Sequence, residues 1–270
     1  MSDLVKNRDP WQALRRFTAA RIALGHTGVS QLTSDQLDFQ LAHARARDAV
    51  HTALDTAQLL PALALAWPAA SPPLLLHSAA ENRKVYLQRP DLGRRLDPPS
   101  RDLLATGRGK SVDERPFDLS IVIADGLSAL AVAQHAAPLL QALRLLLATE
   151  TWATAPLVIA LQGRVAVGDE IGELLGAKMV VVLIGERPGL SSPDSMGLYI
   201  TWAPRACLTD ESRNCISNVR PAGLGYDHAA AKLHYLLTQA RKRQLTGVAL
   251  KDETGGADTL AASSGRTFLL

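Results

Sequence analysis

The chain has 270 residues, of which 47% are hydrophobic and 20% are charged. This composition is typical of a globular protein, and it excludes a disordered, collagen-like or coiled-coil chain. The 29 basic and 26 acidic side chains give a formal net charge of +3, which is too small at this length to indicate a nucleic-acid partner.

Cysteine usage and hydropathy predict the compartment. The two cysteines, Cys207 and Cys215, form no CxxC motif, which favours a reducing cytosol. The polar N-terminal residues lack the apolar core of a signal peptide. The longest uncharged segment, 59–76, contains four prolines and is unsuited to a membrane-spanning helix. We therefore expect a soluble, cytoplasmic protein that binds neither a membrane nor nucleic acid.

The first third of the chain predicts helices followed by a connector. At 9–12 the sequence DPWQ combines a capping carboxylate with proline at the first helical position, and Gly25 ends this helix. At 33–36 the sequence TSDQ starts a second helix, which extends to about residue 54 with one apolar stripe. Residues 55–80 form a proline-rich joint, in which the sequence SPP at 71–73 predicts an irregular connector. Residues 1–98 are therefore predicted to be an N-terminal helical region with its connector.

From residue 117 onward, short apolar runs alternate with helical segments, which is typical of parallel βαβ units. The predicted strands lie at 119–124, 157–161, 178–184 and 197–203, and the predicted helices lie at 127–148, 169–175 and 226–243. The run at 178–184 is almost entirely apolar, as expected of a strand covered on both faces. The pattern predicts an α/β fold over 99–252, with a Rossmann-like, mostly parallel sheet and helices on both faces. A long loop should follow residue 203, and residues 253–270 should form a flexible tail.

Open parallel sheets bind ligands outside the carboxyl ends of their strands. In this chain that rule selects Asp125 with Gly126, Gln162 with Gly163, and the segment 185–189. We expect these three segments to line one crevice. The periodic pattern alone does not identify the ligand.

Several motifs that would indicate an enzyme of another class are incomplete. Gly126 and Ser128 match half of a nucleophile elbow, but the second glycine is missing, so a helix cap is favoured for Ser128. A hydrolase would also need a histidine outside the last predicted helix, where His228 and His234 lie. No GxGxxG turn or HExxH spacing occurs, so we expect neither a nicotinamide site nor a metal site.

Six motifs closely resemble the small subunit of ethanolamine ammonia-lyase, and they occur in the same order along the chain as in that family. They are YLQRPDLGRR at 86–95, DGLS at 125–128, GRV at 163–165, DEIGELLG at 169–176, GERPGL at 185–190 and NCISN at 214–218. The resemblance implies a small subunit that docks on a barrel-shaped large subunit and helps enclose adenosylcobalamin. The pair would convert ethanolamine to acetaldehyde and ammonia by a radical mechanism, with most substrate chemistry on the large subunit, so this chain alone should be inactive.

The resemblance also implies three cobalamin contacts, at Val165, Glu186 and Cys215. Glu186 directly follows a predicted strand, where a carboxylate can accept hydrogen bonds from corrin amide groups. Its alternative role is an ion pair with Arg187 or Arg164. Val165 would act through its backbone carbonyl, with a core valine as the alternative. Cys215 is predicted in a loop, with buried packing as its alternative.

Further expectations concern ligation, location and docking. No histidine lies in a DxHxxG turn, through which some proteins displace the base of cobalamin, so we predict that the cofactor is base-on. A bacterial microcompartment is an alternative location, although few residues precede the first predicted helix. We expect at least one of the arginines of the N-terminal helices to contact the large subunit. These are Arg15, Arg16, Arg45 and Arg47. The competing function is a non-catalytic small-ligand or nucleotide binding module on the same fold.

Overall fold

The computed structural model describes residues 10–18, 20–69, 71–108 and 117–253. The strands are β1 His26–Thr27, β2 Ser30–Gln31, β3 Leu74–His77, β4 Leu119–Ala124, β5 Val158–Leu161, β6 Met179–Gly185, β7 Met196–Trp202 and β8 Arg213–Val219. The α-helices are α1 Thr33–His51, α2 Thr56–Ala66, α3 Arg83–Gln88, α4 Pro98–Arg108, α5 Ala129–Leu147, α6 Val167–Leu175 and α7 Tyr226–Arg243. Short 3-10 segments cover Pro10–Phe17, Leu92–Arg94, Asp210–Ser212 and Gly247–Ala249.

Six strands form one sheet in the order β3-β5-β4-β6-β7-β8. The first four in this order are parallel, whereas β7 and β8 are antiparallel to their neighbours. The two short strands β1 and β2 form a separate hairpin. The predicted α/β class with a mostly parallel sheet is confirmed.

The two faces of the sheet form separate hydrophobic cores, because successive strand side chains point to opposite faces. In β4, Leu119, Ile121 and Ile123 face the first core, together with side chains of α2, α5 and α7. Val122 and Ala124 face the second core, which α4 and α6 cover. Because β6 is buried along its whole length, the prediction of a strand covered on both faces is confirmed.

The connector predicted at 71–73 lies outside every helix and strand, as expected. The flanking parts of the proline-rich segment form α2 and β3, which the pattern does not predict. Asp55 caps α2 by accepting hydrogen bonds from two backbone N–H groups. Leu59 and Leu63 are one helical turn apart and are both buried in the first core, which holds the helix in place despite Pro61. β3 is the outer parallel strand of the sheet, a position that tolerates prolines just before it.

The prediction of a long loop after residue 203 is only partly correct, because this segment contains the edge strand β8. The side chains of β8 do not alternate regularly between buried and exposed, so the segment lacks the period-2 signal of a half-buried strand. The N-terminal helices also differ from the prediction. The first is a 3-10 segment, Pro10–Phe17, and α1 buries only Ala49 among its side chains.

Among the described residues, α5 is the one helix long and apolar enough to cross a membrane by length and composition. In this protein it packs against α2, α7 and the sheet. The division of the chain at residue 98 stays a prediction. The predicted tail lies outside the described residues from 254 onward.

Candidate ligand site at the carboxyl edge of the sheet

The three segments predicted to line a crevice do meet at the carboxyl edge of the sheet. The backbone N–H of Leu127 donates to the carbonyl of Gly185 at 2.9 Å, and that of Gly163 donates to Oδ1 of Asp125 at 3.1 Å. Gly126 has a φ of +58°, and a Cβ atom there would lie 2.2 Å from the carbonyl oxygen of Gly185. Only glycine lets the loops after β4 and β6 approach this closely.

Glu186 directly follows β6, and two hydrogen bonds hold its carboxylate in place. Its Oε2 accepts hydrogen bonds from the hydroxyl of Ser195 and, at 3.3 Å, from the backbone N–H of Asn218. Both hydrogen bonds that the described residues make to this carboxylate thus go to Oε2. Among those residues no salt bridge to Glu186 occurs, so an ion pair with Arg187 or Arg164 is not supported.

The loop that joins β6 to β7 is anchored to α5 and to the residue that follows β8. The hydroxyl of Ser128 donates to the carbonyl of Pro193 at 2.7 Å. Asp194 lies 3.4 Å from Nε2 of His135 and 3.3 Å from Nη1 of Arg220. These contacts hold the end of the loop that leads into β7, next to Ser195, whose hydroxyl donates to Glu186.

Cys215 lies on β8 rather than in the predicted loop, directly opposite Tyr199 of β7. The phenol hydroxyl favours the thiolate form of the cysteine and lowers the pKa of its thiol. Burial and the negative charges of Cys215 and Glu186 raise the pKa of Tyr199, so the phenol keeps its proton. Although the cysteine is exposed, partial loss of water raises the pKa of its thiol, and the Glu186 charge raises it further. Buried packing is therefore not the role of Cys215.

Val165 lies in the turn between β5 and α6. Its carbonyl accepts the N–H of Gly168 at 3.1 Å in the first turn of α6, and a carbonyl oxygen has a second lone pair for another donor. The side chain is half-buried against the second core, which also receives Tyr199. The structure thus brings Glu186 and Cys215 together around Tyr199, with Val165 packed on the same core.

A cleft of about 580 Å³ lies beside this site, on the outer side of α6. It is lined by Ala166, Glu170 and three arginines, of which Arg101 pairs with Glu170 at 2.6 Å. None of the three predicted contact residues lines it. The cleft is therefore distinct from the contacts around Glu186.

Sequence reasoning did not identify three residues of the site, namely Ser195, Tyr199 and Asn218. Asn218 ends the motif at 214–218, so a signal for it was present. Ser195 and Tyr199 carry no local signal, because their proximity to Glu186 depends on the pairing of β6 with β7.

The hydrolase alternative has no support in the geometry. Ser128 is completely buried at the start of α5, where its hydroxyl accepts the N–H of Ala131 at 3.2 Å. The prediction of a helix cap is therefore confirmed. Within the described ranges, no cluster of three or more histidine, cysteine or acidic side chains could hold a metal ion.

Comparison with known proteins identifies one family. The family described as the ethanolamine ammonia-lyase light chain matches residues 8–251. The ethanolamine ammonia-lyase small subunit of Ralstonia nicotianae is 57% identical over 263 residues, which cover 97% of this chain and 95% of that protein. The small subunit of Azotobacter vinelandii is 57% identical over 263 residues, covering 97% and 96%. That of Pseudomonas aeruginosa is 58% identical over 248 residues, covering 91% and 88%.

Proposed function

Because the chain belongs to the ethanolamine ammonia-lyase light-chain family, we propose that it helps enclose adenosylcobalamin at the contact with a large catalytic subunit. It is thus part of a carbon–nitrogen lyase that converts ethanolamine to acetaldehyde and ammonia. The large subunit carries the substrate chemistry, and this chain alone is inactive. The complex is cytoplasmic, and enclosure in a bacterial microcompartment stays a prediction.

The observation that carries this proposal is the geometry of the Glu186 carboxylate. Its Oε2 accepts the hydrogen bonds from Ser195 and Asn218, so Oε1 keeps acceptor capacity for a further N–H group. Cobalamin carries amide side chains whose N–H groups are donors, and a charged acceptor makes such a bond about twice as strong as a neutral one. The residues present therefore fit this cofactor.

Val165 and Cys215 would extend this contact along the same face of the sheet. The carbonyl of Val165 would accept one more N–H through its free lone pair. Cys215 would offer a protonated thiol, since burial and Glu186 raise its pKa. Three contacts, in the turn after β5, just after β6 and on β8, would fix the orientation of a large planar ligand as well as bind it.

When bound, adenosylcobalamin supplies a carbon radical by homolysis of its cobalt–carbon bond. The contribution of this chain is to bind and orient the cofactor and to exclude water from it. We propose base-on binding, because none of the seven histidines of this chain lies in a DxHxxG turn. The contribution of Glu186 is an acceptor for the amide groups at the periphery of the cofactor.

The test is cobalamin titration of the complex formed with the large subunit. Glu186→Ala should weaken cobalamin binding roughly tenfold to a hundredfold, because a charge-assisted hydrogen bond is lost. Glu150→Ala is the matched control. Glu150 is an exposed glutamate just beyond the C-terminal end of α5, outside the proposed site. An unchanged dissociation constant for Glu186→Ala would contradict the proposed role of this residue.

A further inference from the structure

Tyr86 is completely buried, yet it belongs to neither hydrophobic core of the described residues. Instead, its ring contacts two cations. The guanidinium carbon of Arg83 lies 4.7 Å from the ring centroid, and that of Arg164 lies 4.3 Å from it. Such contacts are attractive because the face of an aromatic ring is electronegative, and they are strongest where water is excluded.

The same side chain holds the turn that follows β5. The hydroxyl of Tyr86 donates to the carbonyl of Gly163 at 3.3 Å. Burial raises the pKa of Tyr86 to about 12, so the hydroxyl remains a donor at neutral pH. On the other side of the same residue, the N–H of Gly163 donates to Asp125. Both backbone polar groups of Gly163 are therefore fixed.

Arg164, the next residue in the turn, is fixed as well. Its backbone N–H donates to the carbonyl of Gly93 at 2.7 Å, and its Nη2 donates to the carbonyl of Tyr86 at 3.3 Å. A Cβ atom on Gly93 would lie 2.9 Å from Cγ of Arg164 and 3.0 Å from the ring of Tyr86. The segment after α3 is therefore packed directly on the turn.

Arg83 connects this cluster to the loop after β4. Its Nη1 donates to the carbonyl of Gly126 at 2.7 Å and lies 3.6 Å from Oδ2 of Asp125. Its Nε donates to the carbonyl of Val50 at the end of α1. Burial raises the pKa of the Asp125 carboxyl, while Arg83 and the backbone N–H groups around it favour its ionised form.

From these contacts we propose that Tyr86, together with Arg83, is a positioning residue that fixes the turn at 163–165 and thereby the carbonyl of Val165. This inference rests on the proposed function, in which that carbonyl contacts the cofactor. Val165 follows Gly163 by two residues, so the fixed peptide of Gly163 sets where the turn presents its acceptor. Tyr86 itself touches neither cofactor nor substrate.

The experiment uses the complex with the large subunit and the variants Tyr86→Leu and Tyr86→Phe. Tyr86→Leu should raise the dissociation constant for adenosylcobalamin by about tenfold, because a displaced turn misplaces its acceptor. The KM for ethanolamine should stay unchanged. Tyr86→Phe keeps the ring against both guanidinium groups but removes the hydrogen bond to the carbonyl of Gly163. It should therefore raise the dissociation constant by about threefold, a smaller change than that of Tyr86→Leu, which keeps the proposal testable if the leucine variant does not fold.

Two further variants separate the possible explanations. Leu63→Ala destabilises the first core, on the other face of the sheet. If it weakens cofactor binding as much as Tyr86→Leu at equal loss of thermal stability, the positioning role is overturned. If Glu186→Ala weakens binding but both Tyr86 variants bind normally, the positioning role alone fails. If none of the three changes the dissociation constant, the proposed function itself fails.

Discussion

At the scale of single residues, two neighbouring side chains shift the pKa of the Cys215 thiol in opposite directions. The negative charge of Glu186 opposes formation of the thiolate and raises the thiol pKa. The hydroxyl of Tyr199 donates to the thiolate and lowers that pKa. Burial acts in the same direction as Glu186 and is the largest influence, so the thiol is protonated at neutral pH.

This arrangement predicts that two substitutions shift the pKa of Cys215 in opposite directions. Glu186→Gln removes the negative charge and should lower the pKa, whereas Tyr199→Phe removes the donor and should raise it. The measurement is the pH dependence of alkylation by iodoacetamide, which reacts with the thiolate, in a Cys207→Ser background. Shifts in the same direction, or none, would show that the three side chains do not interact in solution.

At the scale of secondary-structure elements, one buried ion pair joins α6 to the edge strand β8. The guanidinium group of Arg213 pairs with Asp169, and both side chains are 2% exposed. The same guanidinium group pairs at 2.7 Å with Asp210, which is 96% exposed. A buried charge that loses its partner keeps its desolvation cost, whereas an exposed pair contributes little.

The two carboxylates should therefore differ sharply in their contribution to stability. Asp169→Ala should lower the free energy of unfolding by about 3 kcal/mol, because it leaves Arg213 buried without its inner partner. Asp210→Ala should lower it by less than about 1 kcal/mol. Urea denaturation of the purified chain measures both values, and equal losses would contradict the assigned role of the buried pair.

At the scale of the whole molecule, α1 presents an apolar face that the other described residues leave exposed. Leu37 and Leu41 are 58% and 50% exposed, and they share one helix face with the exposed Arg45, because the three residues are spaced by four. Apolar residues next to an arginine are typical of a protein interface. This face is consistent with the expected docking of the N-terminal helices on the large subunit.

We predict that the double variant Leu37→Glu with Leu41→Glu no longer co-purifies with the large subunit. Val248→Glu is the control, since Val248 is 79% exposed on another part of the surface. Circular dichroism should show that both variants retain the fold, because neither change affects a buried side chain. Normal co-purification of the double variant would place the docking surface elsewhere.

The sequence by itself predicted the α/β class, the mostly parallel sheet and, through six ordered motifs, the family that the comparisons confirm. These features have local signals. Apolar runs mark strands such as 119–124 and 178–184, and Ser128 had the identity and position of a helix cap. Glu186 could be placed at the sheet edge because it directly follows an apolar run. Its role towards the cofactor stays a prediction.

Only the tertiary structure decided which side chains meet at the edge of the sheet. β8 was not predicted because its exposed face is polar, and Tyr199 meets Cys215 only through the pairing of β7 with β8. The local pattern does not predict α2, because proline disfavours the interior of a helix. Burial of Leu63 and packing of α2 against α5 outweigh that penalty at Pro61. Strand register and helix docking depend on contacts between residues far apart in the chain, and a local pattern contains no information about them.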